Sequence, residues 1–156
     1  MEMKLISAID RANLYKDAVR RIRSENIPYS MWEDLRSCLD RDKDFTILVD
    51  DTVIGTISCR FSLPNGFCAK CAIAPVDISY FIFKEFRGNG YATGAVRMFI
   101  EKHPDYDLGA CVSVNNPASV AVLLKNGFEK ISKSEVPCLK GKNRRERAYR
   151  LIRRKD

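Results

Sequence analysis

The stretch Asp77-Ile-Ser-Tyr-Phe-Ile-Phe83-Lys-Glu-Phe-Arg87-Gly-Asn-Gly90-Tyr-Ala-Thr93 changes pattern twice. Ile78 to Phe83 is β-branched and aromatic, the strongest strand signal in the chain. Arg87-Gly-Asn-Gly90 breaks that run. Ala92, Ala95, Val96, Phe99 and Ile100 then recur at helical spacing until Pro104 closes the segment. Glycines let a backbone come close to a ligand, and the first amides of a helix have no internal acceptors. With the helix dipole, those amides favour phosphate groups. Two phosphate loops fail on spacing. GxxxxGK[ST] is absent, and GxGxxG fits at Gly88 and Gly90 but meets Thr93 at its third position. On these residues alone the segment reads equally as a phosphate cradle or as an ordinary strand-to-helix turn that uses two glycines.

Downstream, Leu108 to Val114 predicts another strand. Asn116 caps a helix with Pro117 at its first position, and Val120, Leu123 and Leu124 form the apolar side. Gly127 suits the left-handed position after that helix, with Phe128 folding back onto Leu123. Strands near Glu129–Ser134 and Glu146–Arg153 finish the chain. Upstream, Met3 to Ile9 predicts a short strand. Asp10 reads as the N-cap of a helix with Leu14, Ala18, Val19 and Ile22 on one face. After Pro28, Ser30 opens a second short helix with Met31, Leu35 and Leu39. Phe45–Val49 and Thr52–Phe61 pair as a hairpin through Asp50-Asp51, and Leu63-Pro-Asn-Gly66 is a turn leading into loop up to Val76. The order is βααβββαβαββ, a mixed α/β (α+β) domain spanning residues 1–156.

The 156 residues fit one domain, and a domain of that size buries roughly 68–70% of its unfolded surface. The net charge of +7 is local. Lys140 to Asp156 holds nine basic residues and two acids, while residues 1–139 carry 18 of each sign. Overall basicity therefore does not argue for a nucleic-acid binder. Arg147–Arg153 alternates imperfectly as a last strand. Its basic side chains, with Lys140–Arg145, are expected on a solvated edge, where they discourage edge-to-edge pairing. No apolar run approaches the ~18 residues of a membrane span, and charges within Met1–Asn13 argue against a signal peptide. The expected location is cytoplasmic, with six reduced cysteines mostly buried as small hydrophobes. Cys68 and Cys71 form a lone CxxC, and with His103 as the single histidine no metal site is expected. Tyr29, Met31 and Trp32 read as core more readily than as an acceptor pocket.

Arg87-Gly-Asn-Gly90-Tyr91-Ala92 resembles the acyl-CoA loop, Gln/Arg-x-x-Gly-x-Gly/Ala, of the GNAT N-acetyltransferases. Asp77–Phe86 resembles that family's central strand. Asn116-Pro-Ala-Ser119 and Lys125-Asn-Gly-Phe128 resemble its second motif at the family's separation. The resemblance implies a mostly antiparallel sheet of six to seven strands flanked by about four helices, with acetyl-CoA as cofactor. The backbone of Tyr80, Phe81 and Ile82 would pair with the pantetheine arm, and an amide of that strand would support the developing oxyanion. Arg87, Gly88, Asn89, Gly90, Tyr91, Ala92 and Thr93 would cradle the pyrophosphate. Asn116 would contact the pantetheine end.

The departures from the family pattern are specific. The tyrosine that many members place seven residues after the motif asparagine is Leu123 here. The glutamate that some members place five residues before it is Cys111. The pattern is similar to the ribosomal-protein and spermidine-type subgroup, whose central strand often begins with glutamate, and Asp77 stands there. The catalytic candidates are Asp77 as base, directly or through water, and Ser119 as proton donor or thiol orienter. The plainer readings are an acid at the start of the strand paired with a cation, and a solvent-facing serine in a first helical turn. The expected activity is acetyl transfer from acetyl-CoA to a primary amine, on a small molecule or a protein N-terminus, by direct attack in a ternary complex. The expected state is a monomer or homodimer, with no membrane or nucleic-acid partner. The alternative is a catalytically weak binding module docking on RNA, the ribosome or an acidic protein through the basic C-terminal segment.

Overall fold

Asp50 and Asp51 both adopt the left-handed region, with φ of 48° and 65°. A two-residue type I′ hairpin turn requires positive φ at both central residues, which Asp tolerates better than most side chains. The turn joins β2 (Asp44–Val49) to β3 (Thr52–Phe61), as the sequence predicts. The computed structural model describes residues 1–25, 44–61, 76–131, 136–139 and 145–156. Among them stand eight strands and three α-helices. The remaining strands are β1 (Met3–Ser7), β4 (Val76–Ile82), β5 (Leu108–Ser113), β6 (Glu129–Lys130), β7 (Val136–Leu139) and β8 (Arg145–Arg153). The helices are α1 (Ala12–Ser24), α2 (Tyr91–Lys102) and α3 (Pro117–Lys125). The expected helix after Ser30, the aromatic cluster at Tyr29–Trp32 and the Cys68/Cys71 pair lie outside the described residues.

All strands join one sheet in the order β1-β2-β3-β4-β5-β8-β6, with β7 also on β8. Every pairing is antiparallel except β4–β5. Alternation sends Phe45, Ile47, Val49, Ile57, Ile78 and Ile82 to one face. There they pack with Ala95, Val96 and Phe99 of α2 and with Val120 and Leu123 of α3. The opposite face receives α1, whose Ala18 and Ile22 pack on Phe81 and Phe83. Fully burying one such side chain contributes about 1.5–3 kcal/mol, so both faces hold β4 in place.

Four expectations are corrected. Asp10 is not the helix cap: α1 starts at Ala12 after Arg11, with no side-chain cap bond. Ser7 closes the turn instead. Its Oγ accepts from the Ile9 N–H at 3.1 Å, and its carbonyl accepts from the N–H groups of Asp10 and Arg11 at 3.1 and 3.0 Å. Tyr15, not Leu14, is the buried residue of the first turn of α1. Leu124 is 48% exposed, because the short α3 covers the core with Val120 and Leu123 alone. The basic terminal strand is not an edge. β8 runs between β5 on one side and β6 and β7 on the other. Leu151 and Ile152 are therefore both buried, one on each face. A strand covered on both faces loses clean alternation, which is why its pattern reads imperfectly. β7 is unforeseen because Pro137 argues against a strand. β7 pairs only with β8, where a missing N–H is tolerated.

Candidate active site

β4 is paired unequally on its two edges. Against β3 it pairs along its whole length, from Val76 opposite Phe61 to Ile82 opposite Gly55. Against β5 it pairs only at Val76–Leu108 and Asp77–Gly109. β5 is held elsewhere, paired with β8 from Leu108 to Ser113. The sheet therefore opens between β4 and β5 beyond Asp77. On that side no strand among the described residues pairs with Ile78–Ile82, and an extended ligand could pair there as an added strand.

The glycine loop stands at the open end. The Phe83 N–H donates to the Ile54 carbonyl at 2.8 Å, and a short 3-10 turn, Lys84–Phe86, leads into Arg87. Gly88 and Gly90 have φ of 80° and 78°, a region that side chains with a Cβ enter only with strain. A Cβ at either position would meet nothing within 4 Å among the described residues, which leave the space in front of the loop open. Asn89 fixes the loop from behind, its Nδ2 donating to the carbonyls of Phe86 and Arg87 at 3.1 and 3.2 Å. The first bond of α2 runs from the Gly94 N–H to the Gly90 carbonyl at 3.2 Å. The amides of Tyr91, Ala92 and Thr93 thus precede the helical ladder. A groove of about 210 Å³ borders this turn, lined among others by Met3, Asn89, Tyr91 and Arg97. An open cradle of amides beside an unpaired strand edge fits a ligand with phosphates at one end and an amide-bearing arm.

Arg87 turns away from that space. Its Nε donates to the Ile82 carbonyl at 2.9 Å, its guanidinium lies 4.9 Å from the Phe81 ring centre, and its Nη2 is 3.6 Å from Glu25 Oε2. Glu25 also accepts from the Lys84 N–H at 3.4 Å, so the end of α1 braces the loop. The sequence reading missed this brace, since the two residues are far apart in the chain.

Tyr80 shares its face with Ile78 and Ile82, turned towards α2 and α3. Its hydroxyl is 2.6 Å from Ser119 Oγ and donates to the Ser119 carbonyl at 3.2 Å. Burial pushes the phenol up to about 12, opposed in part by the hydrogen bond to Ser119. Asn116 caps α3, its Oδ1 accepting from the Ser119 N–H at 3.2 Å. The Gly127 and Phe128 N–H groups close the helix on Leu124 and Leu123, both at 3.1 Å, as expected. Asn126 carries a contact the sequence does not announce. Its Nδ2 donates to the Val122 carbonyl at 2.9 Å and to the Thr93 carbonyl at 3.2 Å, tying α3 to the first turn of α2.

Asp77 stands apart from this group. It lies three residues before Tyr80 in a strand of unbroken register, so its side chain is on the opposite, α1 face. It occupies the last position paired with β5, at the vertex of the opening, and Arg60 lies across from it on β3. The structure thus brings together Tyr80, Asn116 and Ser119, and separately Gly88 to Thr93. Phe81 packs under α1, and Asp77 sits across the sheet from Ser119. His103 belongs to an aromatic cluster, its ring 4.4 Å from that of Phe99.

A parallel strand pair that opens midway, with a glycine-and-amide loop at its open end, defines an acyltransferase scaffold. The chain belongs to the acetyltransferase (GNAT) domain family, whose pattern matches residues 7–129, and is an acetyltransferase by that membership. A sequence search of curated proteins returns no match. Among solved structures the chain is similar to an aminoglycoside acetyltransferase in complex with coenzyme A and kanamycin, at 16% identity and TM-score 0.65, covering 97% of this chain and 92% of that one. It is also similar to a GNAT superfamily phosphinothricin acetyltransferase from Sinorhizobium meliloti in complex with acetyl-CoA, at 17% identity and TM-score 0.66 over 98% and 88% of the two chains. A spermidine N-acetyltransferase chimera from Vibrio cholerae gives 16% identity and TM-score 0.65 over 97% and 95%. At such identity the likeness is one of fold. No helix among the described residues is long and apolar enough to cross a membrane.

Proposed function

We propose that the chain acts as one domain that moves an acetyl group from acetyl-CoA to a primary amine by direct attack in a ternary complex. The observation that carries this reading is the opening between β4 and β5, with the Gly88–Thr93 cradle at its mouth. When bound, the cofactor supplies an activated acetyl group as a thioester. The free edge of Tyr80–Ile82 pairs with the arm of the cofactor, the amides from Gly88 to Thr93 receive its phosphates, and Asn116 lies near the arm's end. An amine that is an ammonium in water must lose a proton before it attacks. Asp77, at the vertex of the opening on the α1 face, receives that proton directly or through water. Ser119 faces the same opening from the α3 side and orients the sulfur.

The solved neighbours act on an aminoglycoside, phosphinothricin and spermidine, which have an amine in common and little else. The acceptor class proposed is therefore an amine on a small molecule or a protein N-terminus. The aspartate at the start of the central strand favours the spermidine and ribosomal-protein branch. A thermal-shift titration tests the cofactor reading. Acetyl-CoA at a hundred times its dissociation constant should add about 2.7 kcal/mol of stability. No shift up to millimolar acetyl-CoA overturns the reading. Thiol release across polyamines, aminoglycosides and peptides of varied N-terminus then identifies the acceptor.

A further inference from the structure

We propose that Arg150 holds a carboxylate of the acceptor, so that the amine acetylated belongs to a molecule with an anionic group a few bonds away. The inference rests on the acetyl-transfer reading above and deepens it by naming the acceptor class. The basic residues of β8 are expected on a solvated edge, yet the strand is interior and Arg150 is half-buried. Its Nε is buried and has no hydrogen-bond partner among the described residues. A guanidinium stays charged at every working pH, and a buried charged donor left without an acceptor is costly. An anionic ligand removes that cost.

The register places this donor beside the vertex of the cleft. Asp77 pairs with Gly109, and Gly109 with Ile152; two residues further along β5, Cys111 pairs with Arg150. Directly paired residues share a face, so Arg150 and Asp77 both lie on the α1 face. Arg150 stands one step past the vertex, towards the open end. Two strand spacings, about 10 Å, and one two-residue step, about 7 Å, separate the two backbone positions. Less the length of the two side chains, that leaves a few bonds between amine and carboxylate. The α1 face is also polar where the other is apolar: Asp44, Thr46, Thr56 and Ser58 are buried on it. With Asp77 receiving the amine proton, the acceptor lies on this face. An arginine there repels the cationic far end of a polyamine. It attracts a carboxylate, on a free amino acid or on the first side chain of a peptide.

The test measures thiol release as acceptor kcat/KM over a matched set. The small amines are β-alanine, γ-aminobutyrate and δ-aminovalerate, each beside its amide, with putrescine as the cationic counterpart. The peptides are C-terminally amidated and begin with glutamate or glutamine. The wild type should prefer the carboxylate member of at least one pair about 10- to 100-fold, the range of a charge-assisted hydrogen bond. A preference among the small amines or between the peptides shows which source supplies the carboxylate. Arg150→Gln should reduce that preference to within about 3-fold. Arg150→Lys should keep part of it, since an ammonium carries the charge without the planar fork. Acetyl-CoA should raise the Tm of each folded variant as it does that of the wild type.

A wild type without such a preference overturns the proposal, as does a preference that survives in Arg150→Gln or, should that variant not fold, is undiminished in Arg150→Lys. Equal loss across charged and neutral acceptors shows a structural role and overturns it too. Turnover of putrescine alone, or of none of the set by a protein that binds acetyl-CoA, overturns the acceptor class while leaving the cofactor reading intact. A wild type that binds no acetyl-CoA fails at the cofactor reading itself, and the proposal falls with it.

Discussion

The two edges of β4 belong to one strand and do opposite things. The edge against β3 is closed along its whole length, and the edge against β5 is closed at two positions and then open. At the closed edge the backbones come so near that a Cβ on Gly55 would lie 2.0 Å from the Phe81 carbonyl oxygen. At the open end a Cβ on Gly90 would touch nothing among the described residues. Glycine is required in both places for different reasons. Gly55 makes room for neighbouring backbone, while Gly90 permits a left-handed turn in front of empty space. Pairing is thus concentrated on one edge, and the opening on the other.

Substitutions at the two glycines should separate these roles. Gly55→Val forces β3 from β4 and should cost about 3 kcal/mol or more, lowering the Tm by roughly 6 °C or more with or without acetyl-CoA. A near-wild-type melt would break the comparison. Gly90→Val should cost the apo protein only about 1–2 kcal/mol of backbone strain, yet abolish the stabilisation by acetyl-CoA. Retained acetyl-CoA affinity in the folded variant would remove the loop from the site. Asp77→Asn, at the vertex where both edges are still paired, should lower kcat about 100-fold and flatten the acid limb of its pH profile while leaving acetyl-CoA affinity unchanged. An unaltered profile would return Asp77 to a structural role. Asn126→Ala should cost about 1 kcal/mol and weaken acetyl-CoA binding a few-fold, by freeing the first turn of α2. Calorimetry would show this as an effect on affinity and not on kcat.

The smallest effect at neutral pH concerns Tyr80. Its phenol titrates higher in the folded chain than in the unfolded one, so the contribution is fully present below about pH 10. It is lost as pH rises towards about 12. Tyr80→Phe should remove that alkaline component, as measured by denaturant midpoints across pH.

The local signals were legible. The β2–β3 hairpin announces itself through Asp50-Asp51, and α3 through Asn116-Pro117 at one end and Gly127 at the other, because each depends on neighbours within a few residues. The glycine loop was legible for the same reason. What escaped depends on pairing at a distance. The turn before α1 is the local exception, where Ser7 bonds Ile9, Asp10 and Arg11 within four residues and displaces the expected cap at Asp10. The bonds from Tyr80 to Ser119, Arg87 to Glu25 and Asn126 to Thr93 join elements that only the sheet order brings together. No spacing rule encodes the place of β8 inside the sheet.

That place has a consequence for the order in which the molecule is made. β5 forms one wall of the cleft, yet it holds β4 at two residues and β8 at six. During synthesis, β5 emerges long before its main partner. The cleft therefore acquires its second wall only when residues 148–153 leave the ribosome and thread between β5 and β6. Non-local pairing of this kind forms late. A nascent chain stopped before β8 would carry the glycine loop with a wall that has little to hold it, so competence for the cofactor should arrive abruptly, once β8 has been synthesised.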